Sequence, residues 1–186
     1  MAERVCPWWL GYFLASPIRK FWSDDPVSLL APFVRPGITV LEPGPGMGFF
    51  TLPMARMTAP GGRVIAVDIQ PRMLSGLQRR AQKAGLSQRI ETRLAHPGRL
   101  GIDDLRGAVD FVLAFAVVHE LPSAEIFFAE TGASLKPGAL LFLAEPQGHV
   151  TQRTFQDELD AAQHAGLEVA TRPTVRRSLA AVFRKR

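Results

Sequence analysis

Apolar runs alternate with amphipathic stretches along most of this chain. Ile38 to Leu41, Arg63 to Asp68, Arg89 to Leu94, Ala108 to Phe115 and Ala139 to Ala144 are short and bounded by glycine, proline or charge. They read as strands. The segments between them carry helix signals. Asp24-Asp25-Pro26 offers an acidic cap and a proline for the first helical position, with Val27, Leu30 and Val34 on one face until Pro36-Gly37. Phe49-Phe50-Thr51-Leu52 opens a second helix that runs to about Met57, and Pro60-Gly61-Gly62 separates it from the next strand. Pro71 to Ala84 repeats apolar residues at Met73, Leu74, Leu77 and Ala81 and stops at Gly85. Ser123 caps a helix through Ile126, Phe127 and Leu135, which Lys136-Pro137-Gly138 ends. Thr151 caps the last, with Phe155, Leu159 and Ala162 on one face and Gly166 at its end. Leu167 to Thr171 and Ser178 to Phe183 then follow as two strands joined through Pro173. Alternating strands and helices, closed by two adjacent strands, predict an α/β fold with a mostly parallel sheet and a terminal antiparallel hairpin.

The first strand runs into Glu42-Pro43-Gly44-Pro45-Gly46-Met47-Gly48 and then a helix. Glycines let main chain approach a ligand closely, and a helix N-terminus points unpaired N–H groups at the same place. The dinucleotide fingerprint G-x-G-x-x-G/A needs a small third residue. Here that position is Phe49, and the glycines fall as Gly44-x-Gly46-x-Gly48 with Glu42 two residues ahead. This pattern resembles the first motif of the Rossmann-like S-adenosylmethionine-dependent methyltransferases. Asp68, 20 residues after Gly48, ends the second apolar run. A carboxylate at a strand tip can accept hydrogen bonds from both ribose hydroxyls, or it can cap the helix from Pro71. The resemblance implies a seven-stranded, mostly parallel sheet with helices on both faces. It implies S-adenosylmethionine as cofactor and S-adenosylhomocysteine as product. It also implies cofactor contacts at Glu42, Pro43, Gly44, Pro45, Gly46, Gly48, Asp68, Ile69, Met73, His96 and Phe115. At His96 the family often has an acid, so this chain departs from the pattern there. The stretch Phe115 to Pro122, with His119-Glu120-Leu121, resembles the small-molecule methyltransferases of the quinone-biosynthesis type. The Asn/Asp-Pro-Pro-Tyr signature of amino-group DNA and protein-glutamine methyltransferases is absent.

Chemistry follows from the cofactor. Its methyl group is already activated, so transfer by in-line displacement needs alignment and exclusion of water. A base is needed only where the acceptor must lose a proton. His119, just beyond the fourth strand, is the first candidate, or else a histidine that anchors its loop on a backbone carbonyl; Glu120 is a partner to it or simply exposed, and His149, after the fifth strand, is a further candidate that would line the pocket. The closing hairpin and Phe49 argue against an NAD(P)-dependent oxidoreductase. A non-catalytic module that binds the cofactor or its product stays open. No set of His, Cys and acids has metal-site spacing, and one cysteine excludes zinc–thiolate chemistry.

Composition adds limits. The chain has 186 residues, 47% of them hydrophobic and 21% charged, which suits one globular domain over 36–186 preceded by an arm. Cys6 is the sole cysteine, so no internal disulfide forms, which fits a cytoplasmic protein. Residues 1–35 hold an aromatic arm (Trp8, Trp9, Tyr12 and Trp22) and a helix. The arm either packs over the core, acts as a lid over the acceptor, or touches a membrane surface. A flat or apolar small-molecule acceptor suits an aromatic lid. The net charge is +5, and the last sixteen residues hold six arginines and lysines and no acid. That tail reads as a solvated strand end rather than a phosphate-binding patch, so RNA is not the expected partner.

Overall fold

The computed structural model describes residues 24–186. The expectations for the aromatic arm, as packing, lid or membrane contact, lie outside the described residues. Two compact units divide the rest, 24–95 and 96–186. The seven strands form one sheet in the order β3-β2-β1-β4-β5-β7-β6, the mixed α/β architecture that the alternating pattern predicts.

In the first unit, α1 (Pro26–Leu30) starts as expected: Asp25 accepts the N–H of Ser28 at 3.0 Å, and Pro26 stands in the first turn. It is shorter than expected. Val27 is exposed and only Leu30 and Val34 of the proposed face are buried, Val34 from beyond the end of the helix. The strands β1 (Thr39–Pro43), β2 (Arg63–Asp68) and β3 (Ile90–Leu94) pair in parallel. In β2 every residue from Val64 to Asp68 is buried, as a strand covered on both faces requires. Two helices complete the unit, α2 (Thr51–Met57) and α3 (Pro71–Lys83). Met73, Leu74, Leu77 and Ala81 of α3 are buried together, so the 3.6-residue period correctly marked the inward face.

In the second unit, β4 (Val109–Phe115) pairs in parallel with β5 (Leu135–Pro146), and β7 (Ser178–Lys185) runs antiparallel to both β5 and β6 (Leu167–Thr171). Two helices pack here, α4 (Ala124–Ser134) and α5 (Gln152–His164), capped by Ser123 and Thr151 as predicted. Two expectations need correction. Lys136-Pro137-Gly138 is not a turn ahead of the strand. β5 already begins at Leu135, opposite Val109, and the next pair is Phe111 with Leu140. Lys136 to Ala139 are therefore a bulge in β5, a place where proline's missing N–H is tolerated. On α4, Ile126 is exposed and Phe128 joins Phe127 in the core instead. Phe128 packs against Phe183 of β7, with ring centroids 6.0 Å apart.

The last three residues of the basic tail bond within their own unit. Arg184 donates to the carbonyl of Gly138, Lys185 to that of Ala165, and Arg186 pairs with Glu168. No helix among the described residues is long and apolar enough to cross a membrane.

Candidate active site

The turn after β1 is built from main chain. Gly44, Gly46 and Gly48 all have positive φ, at 67°, 53° and 89°, a region costly to residues with a Cβ. Gly46 and Gly48 differ in what surrounds them. A Cβ on Gly46 would meet nothing within 4 Å, whereas one on Gly48 would lie 2.5 Å from Cδ1 of Leu77 on α3. Gly48 thus serves close packing, and Gly46 leaves an open approach to the backbone. The N–H of Gly44 bonds to the carbonyl of Val67, tying the turn to β2, and Gly48 closes the turn onto the carbonyl of Pro45. Pro43 is the last residue of β1, opposite Val67.

Glu42 is 3% exposed and accepts a 2.6 Å hydrogen bond from the Thr51 hydroxyl. It therefore clamps the end of β1 to the first residue of α2, across the glycine turn. Arg80 adds a second brace from α3 by donating to the carbonyl of Met47, and burial lowers its pKa. Neither Thr51 nor Arg80 stood out in the sequence. Thr51 carried a signal, a hydroxyl at the first helical position after the turn; Arg80 was one arginine among many.

Asp68 is buried at the tip of β2, and its Oδ1 accepts the N–H of Gln70 at 2.8 Å. It does not cap α3, whose N-cap is Gln70. The bond instead orients the carboxylate within the β2–α3 turn. Ile69, in that turn, is half-buried. Met73 is enclosed with Met47 in a small cluster, where it supports the turn from below. The carboxyl ends of β1 and β2 thus carry an accessible glycine main chain and an oriented carboxylate, which fits the amino-acid and ribose ends of S-adenosylmethionine.

The other predicted residues fall in the second unit. His96 is exposed, in a tight turn closed by mutual main-chain bonds with Arg99. Phe115 ends β4 half-buried. Ala116 follows at φ 56°, a strained conformation for a residue with a Cβ, anchored by its N–H on the carbonyl of Ala144 at 2.8 Å. That kink aims the following main chain at one side chain. Oε1 of Glu145 accepts the N–H groups of Val117 at 3.2 Å and Val118 at 2.8 Å. Its Oε2 takes Nδ1 of His119. Nε2 of His119 in turn lies 3.4 Å from Nδ1 of His149, with the rings nearly perpendicular.

Glu145 is fully buried, and nothing in its local sequence marks it as a partner of His119. Burial pulls the His119 pKa down, but the hydrogen bond to Glu145 and the charges of Glu145 and Glu120 outweigh it and leave the group above its ordinary value. A second acid also escaped notice. Glu158 on α5 is 4% exposed and its Oε2 has no hydrogen-bond partner. Burial, together with the negative charges of Glu145 and Asp157, pushes it up to about 8. The sequence did hold a clue: Glu158 falls between Phe155 and Leu159 on the apolar stripe of α5. Among the described residues no group of three or more His, Cys, Asp and Glu is arranged to hold a metal ion.

The family described as a methyltransferase domain matches residues 41–143, from β1 into β5. The chain belongs to that family. Its relatives include an arsenite methyltransferase of Halobacterium salinarum, 33% identical over 112 residues, which cover 60% of this chain and 28% of that protein. A ubiquinone biosynthesis O-methyltransferase of Methylocella silvestris is 35% identical over 117 residues, covering 61% of this chain and 42% of that protein. The chain thus matches less than half the length of either relative. A SAM-dependent methyltransferase from Aquifex aeolicus shares the fold, with a TM-score of 0.84 at 24% identity, over 97% of this chain and 98% of that one. Membership in the methyltransferase family sets the oxidoreductase reading aside, and the Rossmann-like expectation for the sheet holds.

Proposed function

We propose that this chain is an enzyme that transfers the methyl group of S-adenosylmethionine to a small acceptor, with residues 36–186 as one catalytic domain. The observation that carries the catalytic reading is the carboxylate–imidazole pair of Glu145 and His119 at the carboxyl ends of β5 and β4. Ligands of open α/β sheets bind at those ends. An imidazole held by a buried carboxylate has its orientation already fixed, as a site that takes up a proton requires.

The cofactor would be held by the main chain of Gly44, Pro45, Gly46 and Gly48, with Glu42 and Pro43 fixing the turn. Asp68 would receive the ribose hydroxyls, with Ile69 and Met73 supporting it. His96 and Phe115 are proposed on the adenine side. When bound, S-adenosylmethionine supplies a methyl carbon already activated by a sulfonium. The protein's own part is to orient the acceptor, exclude water and accept a proton.

The likeness to a ubiquinone biosynthesis O-methyltransferase supports an apolar or aromatic small molecule as acceptor. The arm at residues 1–22 is proposed to cover it, with contact to a membrane surface as its other possible use. RNA is not proposed as the acceptor; the bonds of Arg184, Lys185 and Arg186 within the protein support reading that end as a strand terminus. A cytoplasmic location is proposed from the single cysteine.

Calorimetric titration with S-adenosylmethionine, S-adenosylhomocysteine and NAD(H) tests the reading. Micromolar binding of the first two without NAD is expected, and binding of NAD alone would overturn it. His119→Ala should slow turnover while leaving cofactor affinity nearly unchanged; equal loss of both would make His119 a loop anchor.

A further inference from the structure

His119 has both ring nitrogens committed. Nδ1 faces Oε2 of Glu145, and Nε2 faces Nδ1 of His149 at 3.4 Å. Oε1 of Glu145 is held by two main-chain N–H groups, which leaves Oε2 as the acceptor that faces His119. The arrangement then fixes the protons one after another. Against a carboxylate, Nδ1 of a neutral His119 must carry the proton, which leaves a lone pair on Nε2. Against that lone pair, Nδ1 of His149 must also be protonated, which leaves the lone pair of His149 on its own Nε2. The His149 ring is exposed, and its Nε2 has no protein partner among the described residues.

We infer that His149, not His119, is the terminal base, and that Glu145, His119 and His149 form one chain of three groups that accepts a proton from the methyl acceptor. His119 and Glu145 are then positioning residues that set the tautomer of His149 and spread the charge it gains. This assignment rests on the proposed methyl transfer and narrows its acceptor class to molecules whose reacting atom bears a weakly acidic proton, a hydroxyl in the first instance. The bond from that proton to oxygen breaks, and the proton joins Nε2 of His149. The oxygen's electron pair forms the new bond to the methyl carbon, and the electrons of the broken carbon–sulfur bond remain on sulfur as the thioether. A tertiary amine or thioether acceptor has no such proton and would leave the chain without use.

The chain also makes an unusual demand on Glu145→Gln. The two main-chain donors hold the amide oxygen in the place of Oε1, so the amide NH₂ faces Nδ1 of His119. A donor there forces His119 into the Nε2–H form, and that in turn forces His149 into its Nε2–H form. One substitution should therefore reverse two tautomers, the second of them in a ring that Glu145 does not bond.

The experiment is long-range proton–nitrogen correlation NMR of the full chain, with ¹⁵N-labelled histidine, at alkaline pH. The chain has four histidines, and single His→Gln variants assign them. The Nδ1–H form is expected for both His119 and His149, and E145Q should remove that form from both. An Nε2–H form for His149 in the unaltered protein would overturn the inference. So would a His149 signal that E145Q leaves in place while His119 changes. If E145Q does not fold, the tautomers of the unaltered protein still decide. Calorimetry with S-adenosylmethionine on the same samples separates the two readings. Binding of the cofactor with His149 as Nε2–H removes the relay alone, and the expected tautomers without cofactor binding remove the methyl-transfer reading.

Discussion

The turn after β1 and the loop after β4 are made of different materials. The turn works through main chain: three glycines at positive φ, braced from below by Glu42, Thr51 and Arg80. The loop works through side chains, with His119 from beyond β4, Glu145 from the end of β5 and His149 from the segment after it. The first arrangement is nearly contiguous in sequence and so reads as a motif. The second joins residues 26 and 30 positions apart and reads as nothing until the strands pair. On the proposed function, a cradle for the cofactor would depend on backbone shape, while the chemistry of the acceptor would depend on a few side chains that can vary independently.

That contrast can be broken by substitution. The largest effect is expected from Glu145→Gln. Methyl transfer should fall by about 100-fold or more, the range for loss of a positioned base, while S-adenosylmethionine affinity measured by calorimetry stays within about twofold. An equal fall in affinity would mean that the two regions are not separable.

Glu158 gives the largest expected effect on stability rather than on turnover. Its folded pKa is raised from the ordinary 4.5 to about 8, so between those values the native state holds a proton that the unfolded chain gives up. Stability contributed by this group therefore falls as pH rises from about 4.5 to about 8, by at most ~5 kcal/mol for a displacement of this size. Glu158→Gln should be more stable than the parent at pH 9 and nearly equal at pH 4.5, by urea denaturation. His119 acts in the same direction. Its raised pKa adds stability below the unfolded value, and that stability is lost as pH rises through the folded one, so a residual slope should persist in E158Q. A parent protein with no loss of stability between pH 5 and 9 would rule out the raised value.

Within the cradle, Gly48→Ala should cost more than Gly46→Ala. Both pay for positive φ, on the order of 1–2 kcal/mol. Only Gly48 also drives a Cβ against Leu77. Thermal melts should order them parent, Gly46→Ala, Gly48→Ala, and the reverse order of the variants would mean that the turn relaxes at Gly48. The smallest expected change is in Asp68→Ala. Cofactor binding should weaken by at least about tenfold, or ~1.4 kcal/mol, with little effect on stability. Unchanged affinity would leave Asp68 as a turn residue alone.

The sequence by itself determined the order of strands and helices, the caps at Asp25, Ser123 and Thr151, the glycine turn and the acid at the tip of β2. Each is a local matter: a cap or a turn is specified by residues within a few positions, and apolar period follows element type. It also located His119 and His149 as separate candidates. Tertiary structure decided the rest. The bulge at Lys136 to Ala139 exists because Leu135 pairs with Val109 and Leu140 with Phe111, a register that no local signal encodes. Phe128 rather than Ile126 faces the core because Phe183 of β7 lies there. Glu145 became a partner of His119 only when parallel pairing set the ends of β4 and β5 side by side, and a carboxylate with three donors around it can remain buried where an unpaired one could not.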